Sequence, residues 1–202
     1  MSGNQSKTAE AKGQVLVLRT FVAVSLDKEC SMGLSRILDE LVVSGADFRW
    51  VSEDNLHITL KFLGNITADK IIEVENVLAA SLEGQKGFEI CLEGIGGFPK
   101  VNRPKVIWIG VKEGAARLSE LARTVDKALS RIGIKREHKG FVPHVTLGRM
   151  RSPEGLGALV SKISTFEWNE PLRSRVESVL LMKSTLTPKG AKYSVLRTFP
   201  LT

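Results

Sequence analysis

The residues best equipped for chemistry are two histidine-threonine pairs in matching contexts, His57-Ile58-Thr59-Leu60 and His144-Val145-Thr146-Leu147. Imidazole is the one side chain whose ordinary pKa, about 6.5, lets it serve as acid or base near neutral pH. Two of them can divide the proton work of displacement at phosphorus: one takes a proton from the attacking water, the other gives one to the departing oxygen on the opposite apical side. In an extended strand, side chains two apart share a face, with about 6.5 to 7 Å between their α-carbons. Each threonine hydroxyl can therefore stand beside its histidine and donate to a non-bridging phosphate oxygen. The pattern assigns His57 and His144 as catalytic residues and Thr59 and Thr146 as phosphate-binding residues.

Charged neighbours add weaker candidates. Arg149 lies five positions beyond His144, an odd offset that faces away from it in an unbroken strand. A bulge or bend at Gly148 would turn its guanidinium toward a phosphate. Strict alternation puts Lys61 on the His57 face, as a second substrate-binding candidate. Lys100, Arg103, Lys105 and Arg151 could form a basic rim guiding a polyanion. The third histidine, His138, sits in the charged run Lys135-Arg136-Glu137-His138-Lys139 and reads as a solvated connection. The histidines lack the helical i, i+4 spacing and the Cys or carboxylate companions of zinc and iron sites, so the chemistry is expected to need no metal and no cofactor. Gly94-Ile95-Gly96-Gly97 lacks the spacing of a dinucleotide or P-loop cradle and reads as a flexible hinge.

The chain has 202 residues, 43% of them hydrophobic, enough for one compact unit of two lobes. Lys and Arg outnumber Asp and Glu by 29 to 22, a net charge of +7 that suits a polyanion such as RNA or serves solubility alone. Cys30 and Cys91 make no disulfide framework and no CxxC pair, and read as reduced, buried side chains. Residues 1–14 are polar and mixed in charge, a disordered leader rather than a signal or membrane segment, so the protein is expected to be cytoplasmic with no membrane partner, and monomeric.

Elements that could hold the motifs follow from periodicity. The run Val15 to Val24 reads as a buried strand, and Leu34, Ile37, Leu38 and Leu41 as a helix closed at Gly45. Alternation from Leu56 to Leu63 sets Ile58, Leu60 and Phe62 against His57, Thr59 and Lys61. Thr67 can cap a helix carrying Ile71, Val74, Leu78 and Leu82. Strands follow at Phe88 to Leu92 and Val106 to Val111, then a helix with Leu118, Leu121, Val125, Ala128, Leu129 and Ile132. Pro153 opens a short helix, and strands lie near Ser174 to Lys183 and Lys192 to Phe199. His57 and His144 are 87 positions apart (144 − 57), and the same offset carries Phe21 onto Trp108, which suggests an internal duplication. The lobes are expected at about 15–97 and 104–202, within one domain spanning 15–202.

On these residues the chain resembles the two-histidine phosphoesterase superfamily, and within it the RNA 2′,3′-cyclic phosphodiesterases, also called 2′-5′ RNA ligases. The resemblance rests on Arg19-Thr20-Phe21-Val22-Ala23, Asn55-Leu56-His57-Ile58-Thr59-Leu60-Lys61-Phe62-Leu63-Gly64, Phe98-Pro99 and Pro143-His144-Val145-Thr146-Leu147-Gly148-Arg149. Ser184-Thr185-Leu186, Pro188, Gly190 and Tyr193 resemble a closing hairpin. It implies an α+β, bilobal, duplicated fold: two antiparallel β-sheets line a central cleft, helices cover the outside, and each half supplies one motif. It further implies metal-independent hydrolysis of a 2′,3′-cyclic phosphate at an RNA end, tRNA-like fragments included, to a 2′-phosphomonoester. His57 would then be the acid that protonates the 3′ oxygen, His144 the base, and Arg149 a substrate-binding residue. Some relatives run the same chemistry toward 2′-5′ ligation. Alternatives are a non-catalytic RNA-binding module, or the same fold acting on a 2′,5′-oligoadenylate or an ADP-ribose cyclic phosphate.

Overall fold

A computed structural model describes residues 16–137, 140–168, 170–188 and 190–202. The expected leader and His138 fall outside the described residues. In chain order the elements are β1 (Val17–Ser25), α1 (Lys28–Val42), β2 (Phe48–Trp50), β3 (His57–Thr67), α2 (Ala68–Leu82), β4 (Phe88–Phe98) and β5 (Val106–Glu113). Then come α3 (Ala115–Ser130), β6 (His144–Met150), α4 (Leu156–Ser164), β7 (Leu172–Val176), β8 (Ser178–Thr187) and β9 (Gly190–Pro200).

The helices form on apolar stripes, and the first two also have side-chain caps. The Asp27 carboxylate accepts from the Cys30 amide at 2.8 Å to start α1, whose Leu34, Ile37, Leu38 and Leu41 are buried. Thr67 accepts from the Lys70 amide at 3.3 Å to start α2, and Ile71, Val74, Leu78 and Leu82 are its buried face. In α3 the buried stripe is Leu118, Leu121, Ala122, Val125, Ala128 and Leu129. The short α4 begins at Leu156, beyond the expected Pro153, with Gly155 as its N-cap.

All strand pairings are antiparallel, and the path runs β7-β4-β5-β6-β3-β1-β8-β9, with β2 added beside β6. The two expected sheets are thus halves of one curled sheet, a half-barrel with α+β composition. Their seam is a single register pair between β3 and β6, Ile58 with Val145. Beyond it the halves diverge, and β2 takes the place beside β6 that β3 vacates, pairing Phe48, Arg49 and Trp50 with Met150, Arg149 and Gly148.

Three expectations need correction. The lobes do not divide at 97–104, because β4 pairs with β5 and β7 in the second half-sheet while β8 and β9 return to β1 in the first. The single strand expected at Ser174 to Lys183 is two, β7 and β8, which part at Glu177 for opposite ends of the sheet. The glycine run after Leu92 is no hinge: it continues β4, with Gly96 paired to Trp108. A Cβ on Gly96 would lie 2.2 Å from the Trp108 ring, so glycine is there to let the indole lie flat on the strand.

Candidate active site

The seam positions both motifs. In an antiparallel ladder centred on Ile58 and Val145, the next residues outward set His57 across from Thr146 and Thr59 across from His144. Ile58 and Val145 are fully buried on the helix side, as are Leu60 and Leu147 or nearly so, which anchors the strands from behind. The polar quartet therefore faces the concave side of the sheet. Rigid backing of this kind is what positional catalysis requires.

Hydrogen bonds fix the ring orientations. His57 Nδ1–H donates to the Asn55 carbonyl at 2.7 Å, and His144 Nδ1–H donates to the Val142 carbonyl at 2.7 Å. A carbonyl only accepts, so each Nδ1 carries the proton and each Nε2 is left as the working nitrogen. The Thr59 hydroxyl lies 2.9 Å from His57 Nε2 and donates to it when that ring is neutral. His144 Nε2 has no protein partner among the described residues.

Aromatic walls complete each half. Phe21 lies against His57 with centroids 5.0 Å apart, and Tyr193, the chain's only tyrosine, meets the same ring edge-on at 5.2 Å. Phe98 meets His144 edge-on at 5.1 Å, with Trp108 at 5.8 Å. Phe21 and Trp108, related by the 87-residue offset, each lie beside a histidine, although in the strand register Trp108 faces Thr146 whereas Phe21 faces Phe62. Burial lowers the His57 pKa below 6.5; the Asn55 carbonyl works against this, while charge on His144 and Arg149 reinforces it. Burial likewise lowers His144, with the Val142 carbonyl opposing and Arg149 assisting.

Bulges decide where the charged candidates go. Between β1 and β3 the register slips, so that Val22 and Ala23 face Lys61 and Thr59 and Leu60 is the extra residue. Between β5 and β6 the equivalent slip makes Leu147 the extra residue, with Ile107 and Trp108 facing Gly148 and Thr146. Each bulge reverses the alternation after its motif. Arg149 is thereby turned to the histidine face, near enough to act on both imidazoles. The bend sits at Leu147 rather than Gly148; a Cβ on Gly148 would lie 2.7 Å from the Trp50 ring, which is why that position is glycine.

The same reversal removes Lys61 from the site and corrects its assignment. Lys61 is 5% exposed and points to the helix side, where Nζ pairs with the Asp126 carboxylate of α3 and donates to the Lys135 carbonyl at 2.8 Å. Asp126 also accepts from Arg136 Nε at 3.2 Å and the Glu137 amide at 3.0 Å. These bonds tie β3 to the segment that leads into β6. Phe62, expected among the buried residues, is instead 59% exposed on the histidine face, with its ring 6.1 Å from Phe21. Of the expected rim, Lys100, Arg103 and Lys105 are exposed in and beside the β4–β5 turn, and Arg151 pairs with Asp47 at 3.7 Å. Cys30 and Cys91 are free and buried, and burial beside Asp27 pushes the Cys30 thiol up to about 12.

Sequence reasoning from the residues alone passed over Phe98, Tyr193 and Arg49. The short strand that carries Arg49 has too few residues to show a period. Beside His57, a groove of about 430 Å³ is lined by Asp54, Asn55, Thr187, Lys192 and Tyr193 among others. Among the described residues no helix is long and apolar enough to cross a membrane.

Known proteins resemble this chain in sequence and in fold. A family model described as LigT-like phosphoesterase matches the chain twice, over residues 24–108 and 109–193, in step with the duplicated motifs. An RNA 2′,3′-cyclic phosphodiesterase of Aquifex aeolicus is 39% identical over 190 residues, covering 92% of this chain and 98% of the relative. One from Methanothermobacter thermautotrophicus is 36% identical over 184 residues, covering 91% and 99%. The crystal structure of Escherichia coli LigT complexed with 3′-AMP superposes with a TM-score of 0.73 at 25% identity, covering 93% of this chain and 99% of that one.

Proposed function

The chain belongs to the LigT-like phosphoesterases, and from that membership we propose that it hydrolyses RNA 2′,3′-cyclic phosphate ends to 2′-phosphomonoesters, without a metal. The observation that carries this reading is the Ile58–Val145 seam, which brings one imidazole and one hydroxyl from each half to a common face.

In this mechanism His144 Nε2 takes a proton from water as its oxygen attacks phosphorus. The bond from phosphorus to the 3′ oxygen breaks in line, and His57 Nε2–H supplies the proton that makes the 3′ hydroxyl. The phosphate remains on the 2′ oxygen. Burial shifts both imidazoles toward the neutral form in the free protein, and the substrate's own negative charge works the other way, raising a neighbouring imidazole's pKa and favouring the acid's proton. Once His57 is protonated, Thr59 no longer donates to it and its hydroxyl is free to turn to a non-bridging oxygen. Thr146 and Arg149 serve the same oxygens, whose charge must be stabilised as the transition state forms.

The test is turnover of an RNA with a 2′,3′-cyclic end by wild type, His57→Ala and His144→Ala in EDTA, with products identified by phosphorus NMR. Wild type is expected to release the 2′-phosphate, and each variant to lose about 10²- to 10⁴-fold in rate. Unchanged turnover in either variant, or a 3′-phosphate product, overturns the assignment.

A further inference from the structure

The register that turns Arg149 into the cleft also places another arginine beside it. Arg49 of β2 is the direct cross-strand partner of Arg149. Its neighbours Phe48 and Trp50 pack with the core, stacked at 5.2 Å, so alternation sends Arg49 to the opposite face, the one the histidines occupy. Arg49 is exposed, and its Cδ lies 3.9 Å from where a Cβ on Gly190 would be. The side chain thus reaches from the second half-sheet to the β8–β9 hairpin of the first, spanning the gap opened where β3 and β6 diverge.

Like charges directly opposite on neighbouring strands repel. Arg136, Arg151, Arg173 and Arg175 each have a carboxylate partner. Among the described residues neither Arg49 nor Arg149 is ion-paired. Two exposed arginines without a carboxylate partner, paired directly across neighbouring strands on the histidine face, make a site for an oxyanion, which a planar fork of donors grips in a bidentate way. Arg149 is the one near both imidazoles, so the far side of the pair, toward Arg49, points along the groove away from the reacting phosphorus.

We propose that Arg49, together with Arg149, forms a second phosphate subsite that takes the phosphodiester on the 5′ side of the terminal nucleotide. This rests on the cyclic-phosphodiesterase reading and adds to it a preference: the protein favours chain ends over free nucleoside cyclic phosphates because only a chain end carries the second phosphate.

The experiment compares kcat/KM on a nucleoside 2′,3′-cyclic phosphate, which has one phosphate, with that on a dinucleotide bearing a 2′,3′-cyclic end, which has two. In Arg49→Ala the ratio of dinucleotide to mononucleotide kcat/KM falls about tenfold, the order expected for one charge-assisted phosphate contact. The slope of log kcat/KM against log salt for the dinucleotide becomes shallower by about 0.7, one single-strand phosphate contact. Arg49→Lys, which keeps the charge without the fork, restores the salt slope and only part of the ratio. An unchanged ratio overturns the subsite, whether activity is untouched or falls equally on both substrates together with the melting temperature, as a purely structural staple would produce. Absence of turnover on both substrates by wild type overturns the parent reading instead.

Discussion

In the proposed mechanism His57 and His144 face one charge-balance condition: one ring must be protonated and one neutral. The singly protonated pair is most populated between the two apparent pKa values, whichever ring holds the proton. Both values are depressed below 6.5, first by burial. The bell-shaped profile of kcat/KM should therefore peak on the acid side of 6.5; its acid limb marks loss of the neutral base and its basic limb loss of the protonated acid. A peak above pH 7 would contradict this. Thr146→Val, which keeps shape and removes a donor, is expected to lower kcat about 100-fold with a smaller change in KM, checked by steady-state kinetics. At this scale the sequence was informative because a histidine and a threonine two apart on a strand need no long-range information to share a face. Arg149 and Lys61 lie beyond the bulges, and there the same alternation failed: a slip of one residue depends on the neighbouring strand, which local pattern does not encode.

A buried ion pair that periodicity could not foresee ties together elements around the site. Lys61 links β3 to α3 and to the approach of β6, so its removal leaves the largely buried Asp126 with weaker partners. Lys61→Met is expected to destabilise the fold by about 3 kcal/mol, read from urea unfolding, because breaking a buried pair strands its other member. A change below about 0.5 kcal/mol would show that the pair contributes only geometry. The helices were legible to within a turn, since a stripe such as Ile71, Val74, Leu78 and Leu82 states its own period. The glycine-rich end of β4 was not, because Gly96 is chosen for the Trp108 indole on another strand, and composition alone suggests a loop.

The whole molecule is a duplication whose halves have exchanged strands. β4 follows the first motif in the chain but lies in the second half-sheet, and β8 makes the reverse crossing. Neither half owns a complete sheet, so urea unfolding followed by tryptophan fluorescence and by far-ultraviolet circular dichroism should give one coincident transition. Two separated transitions would show that the halves fold independently. Connectivity of this kind was hidden from the sequence, which displays the repeat but not which edge each strand joins. The repeat itself has a further consequence. The 87-residue offset that maps His57 onto His144 also maps Phe62 onto Arg149, and the two lie at matching places on the concave face. Were the halves identical throughout, a diester could enter head-first or tail-first at equal energy, with acid and base interchangeable. An aromatic surface at one end of the dyad and a cation at the other are among the differences that lift that degeneracy, so in the proposed mechanism this mismatched position helps to set the direction in which a polynucleotide lies along the groove.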